Sequence, residues 1–283
     1  MSANTSPSEA QLTRMHGKAE LGFVHVDGAD RLGRLYQRAP LRVLFPTPPK
    51  DEVPQAALVT TSGGLAGGDI LEVAIHAGPA AQALVVGSAA EKVYRSTGPD
   101  TLVAVDLTAD SGARLEYLPQ ETILFDGSRL RRTTNIQAAA DACVLAGEML
   151  VFGRHARGEV LTHGLLREAW EVRVDERLVW ADCLHMQDDL RAVLDAPAGF
   201  GGAVAAASLV LLGDDLQSHR DHLRDLLADY PGRFGAGVVA GILVARWLDH
   251  DPARLRASFG QAWKALRHRT MNRPACLPRL WDI

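Results

Sequence analysis

Cysteine is scarce in this sequence, and long hydrophobic runs are absent. Cys143, Cys183 and Cys276 are the only cysteines and form no C-x-x-C pair, which excludes a disulfide framework and indicates a reducing compartment. The longest apolar runs, residues 203–212 and 238–247, are too short to cross a membrane as helices.

Positive charge is not in excess, and the common catalytic motifs are missing. Lys and Arg number 30 and Asp and Glu 34, so the formal net charge is -4 and general nucleic-acid binding is not expected. The chain has no G-x-x-x-x-G-K-[ST] loop, no H-E-x-x-H, no G-x-S-x-G elbow and no kinase signature. Residues 1–17 are polar and lack the apolar core of a secretory signal. We therefore expect a cytoplasmic protein that binds neither nucleic acid nor a membrane.

Short strands separated by turn signals dominate the first 210 residues. Residues 170–175 alternate with period two, which places Trp170, Val172 and Val174 on one face. The connections are too short for helical crossovers, so the pattern predicts an antiparallel β body. We assign strands to residues 70–76, 82–86, 102–108, 113–118, 170–175, 203–212 and 238–247.

Two helices are expected near the C-terminus. Asp214 caps the first, which reaches about Asp229, and Asp251 followed by Pro252 opens the second. The apolar face of the first helix comprises Leu216, Leu223, Leu226 and Leu227.

The predicted fold class is therefore mainly β, a β-rich α+β chain with an antiparallel β body and two helices near its C-terminus. Residues 1–16 are expected to form a flexible N-terminal tail. Residues 17–283 are expected to form a single domain, β-rich to about residue 212 and helix-containing over residues 213–283. The sequence shows no internal repeat and no low-complexity linker.

A glycine-rich segment, TTSGGLAGGD, occupies residues 60–69. Its glycines permit positive φ and close approach of the backbone to other groups, and Asp69 can accept hydrogen bonds from such a loop. The pattern favours a tight hairpin with bulges. Phosphate binding is less favoured, because no lysine and no helix start follow the glycines.

Two further segments combine ionisable and apolar residues. In residues 89–96, AAEKVYRS, strand alternation places Glu91 and Arg95 on one face, which is typical of a solvated ion-pair ladder. In residues 118–126, LPQETILFD, acids lie beside a bulky apolar run and need a partner wherever they are buried. The nearby arginines that can supply one are Arg129, Arg131 and Arg132.

Histidines provide only weak metal-site candidates. His155 lies within residues 148–159, EMLVFGRHARGE, and is expected at the surface rather than as a ligand. His219 and His222 share a helix face with Asp215, which permits a two-histidine, one-carboxylate site.

Taken together, these segments resemble the UreD family of urease accessory proteins, called UreH in some organisms. The order and spacing match from about residue 21 to residue 281, although Ala66 replaces a frequent valine and the first 16 residues match nothing. The resemblance is carried by residues 61–69 (TSGGLAGGD), 90–96 (AEKVYRS), 118–126 (LPQETILFD), 148–159 (EMLVFGRHARGE) and 277–281 (LPRLW).

The resemblance implies a scaffold rather than an enzyme. Proteins of this family act in the maturation of urease, whose active site holds two nickel ions bridged by a carbamylated lysine. The implied partners are UreF, the GTPase UreG bound through UreF, and the urease apoprotein. No tightly bound cofactor is implied, and nickel is expected to pass transiently. The implied fold, a β-rich body with helices near the C-terminus, agrees with the strand assignment.

A polar path for nickel follows as a hypothesis. Weak, scattered oxygen ligands can pass a cation onward, whereas a compact set of tight ligands would trap it. The candidates to line this path are Asp69, Glu91, Tyr94, Gln120, Glu121, Asp126, Glu148 and Glu171.

A docking surface is expected at the C-terminus. Residues 251–283 carry seven basic and two acidic side chains, so they can dock an acidic partner face. The candidates for this contact are Arg254, Lys264, Arg267 and Arg269.

Two alternative functions stay open from the sequence. A metal-dependent hydrolase would place Glu121, Asp126 and His155 around an ion that activates water. A small-molecule binding module would fold the glycine-rich segment over a pocket.

Overall fold

A computed structural model describes residues 14–50 and 52–281 of the chain. The predicted tail, residues 1–16, lies outside the described residues up to position 13, and His16 already begins the first strand. In chain order the strands are β1 (His16–Val26), β2 (Ala29–Arg38), β3 (Leu41–Leu44), β4 (Gln55–Thr60), β5 (Ile70–Ala77), β6 (Gln82–Gly87), β7 (Glu91–Val93), β8 (Thr101–Ala109), β9 (Arg114–Leu118), β10 (Thr122–Leu124), β11 (Arg129–Ala138), β12 (Cys143–Phe152), β13 (His163–Val174), β14 (Arg177–Asp189), β15 (Ala205–Leu212), β16 (Arg233–Val239) and β17 (Ile242–Asp249). The helices are α1 (Leu190–Asp195), α2 (Leu216–Leu226) and α3 (Pro252–Met271), with short 3₁₀ turns at His155–Arg157 and Arg279–Trp281.

The strands form two mixed sheets. The first sheet has the order β14-β13-β11-β8-β5-β1-β2, and the second has the order β16-β17-β15-β12-β9-β6-β4-β3, with β7 and β10 attached beside β12. Pairs at the centre of each sheet, such as β5 with β8 and β6 with β9, are parallel, whereas the flanking pairs are antiparallel. The β-rich prediction is confirmed, and the prediction of an antiparallel body is wrong for the centre of both sheets.

Parallel pairing arises here without helical crossovers. From β4 to β13 the chain passes repeatedly between the second and the first sheet, with the short strands β7 and β10 following β6 and β9 within the second sheet. Each strand therefore reaches its parallel neighbour through a strand of the facing sheet. The crossover that parallel strands require is therefore supplied by a strand rather than a helix. The result is a stack of coils, in which Ala77 pairs with Ala109 and Ala109 with Ala138 at equivalent corners.

The glycine-rich segment does not form a hairpin. It joins β4 in the second sheet to β5 in the first, and these two strands are not paired with each other. Gly64 has φ 152° and its Cα lies against Tyr94, so that a Cβ at this position would come within 2.8 Å of the ring. Glycine is required at this corner because a side chain would displace the tyrosine.

Both predicted C-terminal helices are present, with differences at the first. The carboxylate of Asp251 accepts hydrogen bonds from the amides of Ala253 and Arg254 at 2.9 and 3.3 Å, so α3 begins as predicted. Helix α2 begins after Asp215 rather than Asp214, and Asp215 has φ 50° and makes no side-chain cap.

The predicted apolar face of α2 also needs correction, and further elements differ. Leu226 is 41% exposed, and His219 lies on the buried side in its place. Helix α1 was not predicted. The segment 238–247 is a hairpin of β16 and β17 rather than one strand, because Ala240 and Gly241 both take positive φ, 48° and 84°, as two-residue hairpin turns require.

Three layers result from this arrangement. One apolar core, which includes Phe23, Ile75 and Leu107, fills the space between the sheets. A second core lies between the second sheet and helices α2 and α3, and includes Trp247 and Trp263. No helix in the described part of the chain is long and apolar enough to cross a membrane.

Candidate functional site

A cluster of charged side chains lies buried between the two sheets. Nε of Arg132 on β11 donates to both carboxylate oxygens of Glu168 on β13, at 2.8 and 2.9 Å. Its terminal nitrogens reach Glu148 on β12 at 3.1 Å and the hydroxyl of Thr122 on β10 at 2.8 Å. The side chains of Arg132, Glu148 and Glu168 are only 12%, 7% and 2% exposed. We call Arg132, Glu148, Glu168 and Thr122 the inter-sheet cluster.

Strand alternation places these polar residues in an otherwise apolar layer. On β13 the inward positions include Leu166, Glu168 and Trp170, all buried, and on β11 they include Leu130 and Arg132. Apolar clusters of the inter-sheet layer lie on both sides of the charges. Charged side chains can be buried in such an apolar layer only where they are paired. The inter-sheet cluster therefore marks one defined position between the two sheets.

The cluster contains two carboxylates but only one guanidinium. Burial raises the pKa of Glu168 well above its ordinary value, and the neighbouring Glu148 raises it further, while Arg132 acts in the opposite direction. Burial also raises the pKa of Tyr117, which lies near the cluster, to about 12. A carboxyl with a raised pKa beside an excess of negative charge can exchange its proton for a cation.

Two cavities are lined by residues of the inter-sheet cluster. A cavity of about 420 Å³ is lined by Glu148 and Glu168, with walls from Trp170, Phe200 and other apolar residues. A second cavity, of about 230 Å³, is lined by Thr122 and Arg132. The hydrogen bonds from Arg132 to the two glutamates therefore connect a residue that lines the smaller cavity with two that line the larger.

An ion pair crosses the rim of the larger cavity. Arg246 on β17 contacts Asp182 on β14 at 2.5 Å, which joins the flanking strands of the two sheets. Both side chains line the cavity and are partly exposed, at 52% and 37%. The larger cavity is therefore flanked by charges at its rim and at its inner end.

Three of the predicted path residues line these cavities. Glu148 lines the larger one, and Glu91 and Gln120 line the smaller one. Glu91 accepts a hydrogen bond from the hydroxyl of Thr60 at 2.5 Å, and burial raises its pKa. The side chain of Gln120 bonds to the carbonyl of Leu280 at 2.8 Å, so its amide also holds the C-terminal segment.

Three other path candidates line neither cavity and lie within loops. The carboxylate of Asp69 accepts hydrogen bonds from the amides of Met15 and Ala66, at 2.9 and 2.8 Å, and so closes the glycine-rich corner. The hydroxyl of Tyr94 donates to the carbonyl of Gly63 at 2.8 Å. The carboxylate of Asp126 accepts a hydrogen bond from the Thr162 amide at 2.7 Å. Burial alone would raise the pKa of Asp126, but the hydrogen bonds from Thr162 have the larger effect, so this pKa is lowered. These contacts organise backbone corners.

The remaining two candidates are held by arginines. Glu121 pairs with Arg256 on α3. Glu171 pairs with Arg173 at 3.0 Å and is 46% exposed. Neither lines the two cavities.

The predicted docking residues are divided between core and surface. Arg267 is 1% exposed and is held between Glu116 and Glu52, at 3.0 and 2.9 Å. Its assignment to a surface contact needs correction, because its guanidinium lies in the core behind the second sheet. Arg254 pairs with the buried Asp249.

The other two docking candidates are accessible. Arg269 is exposed and donates to Nδ1 of His219 at 3.3 Å, and Lys264 is half-buried. Of the predicted basic surface, these two side chains and the exposed part of Arg254 are available to a partner.

The metal-site alternatives do not assemble in the described part of the chain. His219 is buried against Arg269, and burial followed by the charge of Arg269 lowers its pKa. The ring of His155 bonds to the carbonyl of Phe152 at 2.9 Å, while Glu121 and Asp126 have the separate partners named above. Among the described residues, no group of three or more His, Cys, Asp or Glu side chains could hold a metal ion. The hydrolase alternative therefore has no assembled centre here.

Among the buried acids that sequence reasoning missed are Glu168 and Glu116. Each lies within a strand, and each finds its arginine on a distant element, Arg132 on β11 or Arg267 on α3. The available signal was the pattern itself, since Glu168 takes an inward position between Leu166 and Trp170.

Comparison with known proteins agrees with the resemblance seen in the sequence. The family described as UreD urease accessory protein matches residues 15–282 of the chain. A urease accessory protein UreD of Magnetococcus marinus is 47% identical over 288 residues, covering 100% of this chain and 99% of the relative. Proteins of the same name from Granulibacter bethesdensis and a Methylobacterium species are 43% and 39% identical, covering 84% and 100% of this chain and 99% and 100% of their own lengths. The chain therefore belongs to the UreD family of urease accessory proteins.

Proposed function

We propose that this chain is a non-catalytic scaffold in urease maturation. In this role it binds urease apoprotein and UreF, and through UreF the GTPase UreG, while nickel crosses its interior as cargo. The observation that carries the proposal is that the hydrogen-bonded residues of the inter-sheet cluster line two cavities. Family membership supports the maturation role.

The chemistry of the cluster suits transient passage of a divalent cation. Carboxylate and hydroxyl oxygens bind nickel more weakly than imidazole nitrogen or thiolate sulfur does, so a cation held by these oxygens can leave again. Arg132 neutralises one of the two glutamates. The raised pKa of Glu168 favours a proton on this carboxyl group, and the cation can displace that proton. Arrival of nickel at this point is then coupled to release of a proton.

The cavities divide the proposed route into two parts. Glu91 and Thr122 lie on the side of the smaller cavity, and Glu148 and Glu168 on the side of the larger. Movement of the Arg132 guanidinium is required for passage between them, because its hydrogen bonds connect residues that line the two cavities. Asp69, Tyr94, Glu121, Asp126 and Glu171 stand outside this two-cavity route.

The decisive experiment measures nickel in urease matured by variants of this chain. Apo-urease is produced with the full set of accessory proteins, and nickel per active site is counted with Glu148→Gln, Glu168→Gln or Glu91→Gln replacing the wild type. A unit charge about 4 Å from another contributes about 4 kcal/mol at an effective dielectric constant of 20. Loss of one carboxylate charge on the route should therefore slow nickel delivery at least about tenfold.

Two further variants sharpen this test. Ser208 pairs with Glu148 across β12 and β15 and lines the larger cavity, so Ser208→Phe should obstruct it without changing a charge. Glu171→Gln is the matched control, since it removes a carboxylate from the same strand as Glu168 but outside both cavities. Full nickel occupancy with Glu148→Gln, Glu168→Gln and Ser208→Phe, each folded and bound to its partners, would contradict the route.

A small-molecule binding module is the second candidate. The larger cavity has a volume of about 420 Å³, within the range of ligand sites, and its walls are mainly apolar. Nε1 of Trp170, which lines this cavity, has no hydrogen-bond partner among the described residues. A metabolite screen by thermal shift tests this candidate, and stabilisation that Ser208→Phe abolishes would favour it over nickel passage.

A further inference from the structure

Strand β2 at the edge of the first sheet and β3 at the neighbouring edge of the second sheet form an exposed apolar surface. We call residues 31–45, with Val24 and Val26 of β1, the β2 edge surface. It contains seven of the thirteen exposed large hydrophobic side chains in the described part of the chain. Those on residues 31–45 are Leu32, Leu35, Tyr36, Leu44 and Phe45, with exposures of 37%, 41%, 44%, 58% and 45%. A concentration of exposed apolar side chains in one region marks an interaction site.

The same surface is strongly basic in a chain of negative net charge. Residues 31–45 include four arginines and no acid, whereas the whole chain carries -4. Arg34 pairs with Glu20, which Lys18 also contacts, but the Arg34 side chain stays 73% exposed; Asp30 is engaged by His25 and the amide of Gln82. The excess of positive charge is therefore available to a partner.

The backbone of β2 is open on one side. Among the described strands, β2 is the last of the first sheet and pairs only with β1. Alternate amide and carbonyl groups of such an edge point away from the sheet and accept an added strand.

The two faces of β2 have different chemistry. Leu32 and Leu35 pair with the buried Phe23 and Leu21 and so belong to the inward face. Arg34, Tyr36 and Arg38 pair with Gly22, Glu20 and Lys18, which alternate with the buried residues of β1, and so belong to the outward face. A strand added here would meet apolar groups on one face and guanidinium groups on the other.

We infer that the β2 edge surface binds an extended, acidic segment of a protein partner by strand addition. The segment alternates apolar residues, which pack on Leu32 and Leu35, with Asp or Glu residues, which pair with Arg34 and Arg38. A second copy of this chain does not fit, because two β2 strands side by side would bring their arginine rows together. The inference rests on the proposed function only in that the segment belongs to a protein of the maturation complex.

Hydrogen exchange of the full chain tests this assignment. The chain is compared free and in complex with urease apoprotein or with the other accessory proteins. In one of these complexes the amides of β2 should exchange at least about tenfold more slowly. The double variant Arg34→Glu/Arg38→Glu should weaken that complex at least about tenfold. Binding of the wild type should weaken as the salt concentration rises, and binding of the variant should not show this salt dependence.

A matched control comes from the other edge of the same sheet. Arg177 is an exposed arginine on β14, so Arg177→Glu changes the same charge on an edge strand elsewhere. It should leave binding unchanged, and all variants should keep the wild-type melting temperature. Retained complexes in which β2 shows no protection, or in which the double variant binds as well as the wild type, would overturn the inference.

A synthetic peptide separates failure of this inference from failure of the proposed function. A labelled peptide of alternating Glu and Val should bind the isolated chain and lose affinity with Arg34→Glu/Arg38→Glu, while its Lys and Val counterpart should not bind. If no maturation protein binds the wild-type chain, the proposed function fails, and the peptide still decides on the surface. Binding of phosphatidylserine vesicles or poly(U) through these arginines, without binding of the acidic peptide, would assign the surface to another class of ligand and overturn the inference.

Discussion

Nε of Arg267 on α3 lies 3.0 Å from Oε2 of Glu116 on β9, inside the core between the second sheet and the helices. The same guanidinium contacts Glu52 at 2.9 Å. The basic C-terminal part of the chain thus directs one of its charges inward, where it ties the helix to the sheet.

Removal of this arginine should destabilise the protein strongly. Arg267→Ala leaves Glu116 and Glu52 buried without their cation, and we expect the free energy of unfolding to fall by about 3–5 kcal/mol. Urea denaturation measures the loss. Arg269→Ala, two residues along the same helix at an exposed position, is the control and should change the free energy of unfolding by less than about 1 kcal/mol. Equal effects of the two substitutions would contradict the buried role.

The pH dependence of stability should reveal Glu168. Its pKa is raised above the ordinary value of 4.5, chiefly by burial. A raised pKa in the folded state contributes stability that is complete below about pH 4.5 and is lost as the pH rises through the folded pKa. The free energy of unfolding of Glu168→Gln, relative to the wild type, should therefore increase with pH above 4.5, by at most about 1.4 kcal/mol per pH unit. Urea denaturation between pH 5 and pH 8 checks the slope, and a constant difference would contradict it.

Asp249 should show the opposite dependence. Although burial raises its pKa, hydrogen bonds from Arg254 and from the hydroxyl of Tyr230 outweigh burial and lower it from 3.8 to about 2. A lowered pKa contributes stability that is present above pH 3.8 and is lost as the pH falls toward 2. Asp249→Asn should therefore cost about 2 kcal/mol at pH 7. Asp229→Asn, an exposed position in the same region, is the control, and similar losses for both in urea denaturation would contradict the assignment.

The contact between α3 and the second sheet depends on Gly147. A Cβ at this position would lie 2.5 Å from Cζ of Phe259, which is buried on α3. Gly147→Ala should therefore force the ring aside and lower the free energy of unfolding by about 1–3 kcal/mol. Gly235→Ala is the control, since a Cβ there would meet nothing within 4 Å. Thermal denaturation compares the two, and an unaffected Gly147→Ala variant would show that the core accommodates the methyl group.

Local elements were accessible from the sequence because their signals are local. Asp251 and Pro252 set the start of α3 through groups within one turn of each other, and local strand patterns predicted β5, β8 and β9 to within one residue of their observed ends. For β13 the pattern predicted only residues 170–175 of a strand that begins at His163. Sheet pairing was not accessible in the same way. Short connections were interpreted as evidence for antiparallel neighbours, but the intervening strand belongs to the facing sheet.

A repeated signal for the stacked coils was nevertheless present. Alanine pairs spaced four apart begin at Ala77, Ala109 and Ala138, and the second members are Ala81, Ala113 and Ala142. All six are buried, and the first members pair in register at one corner of the stack. Small residues at this corner permit successive coils to approach closely, which explains the spacing. Three such alanine pairs are too few to distinguish a repeat from chance occurrence of alanine in the sequence alone.

Family membership, the β-rich composition and both C-terminal helices were determined by the sequence alone, because each is encoded in contiguous motifs or local periodicity. The tertiary structure decided which charges are internal. Glu148 and Glu168 are 20 positions apart, with Arg132 a further 16 positions before Glu148, and no local rule brings them together. Arg267 and Arg269 look alike in the sequence, yet one is in the core and the other is exposed. The physical reason is that burial and pairing of a charge depend on which distant elements pack around it, and this is a property of the assembled sheets and helices.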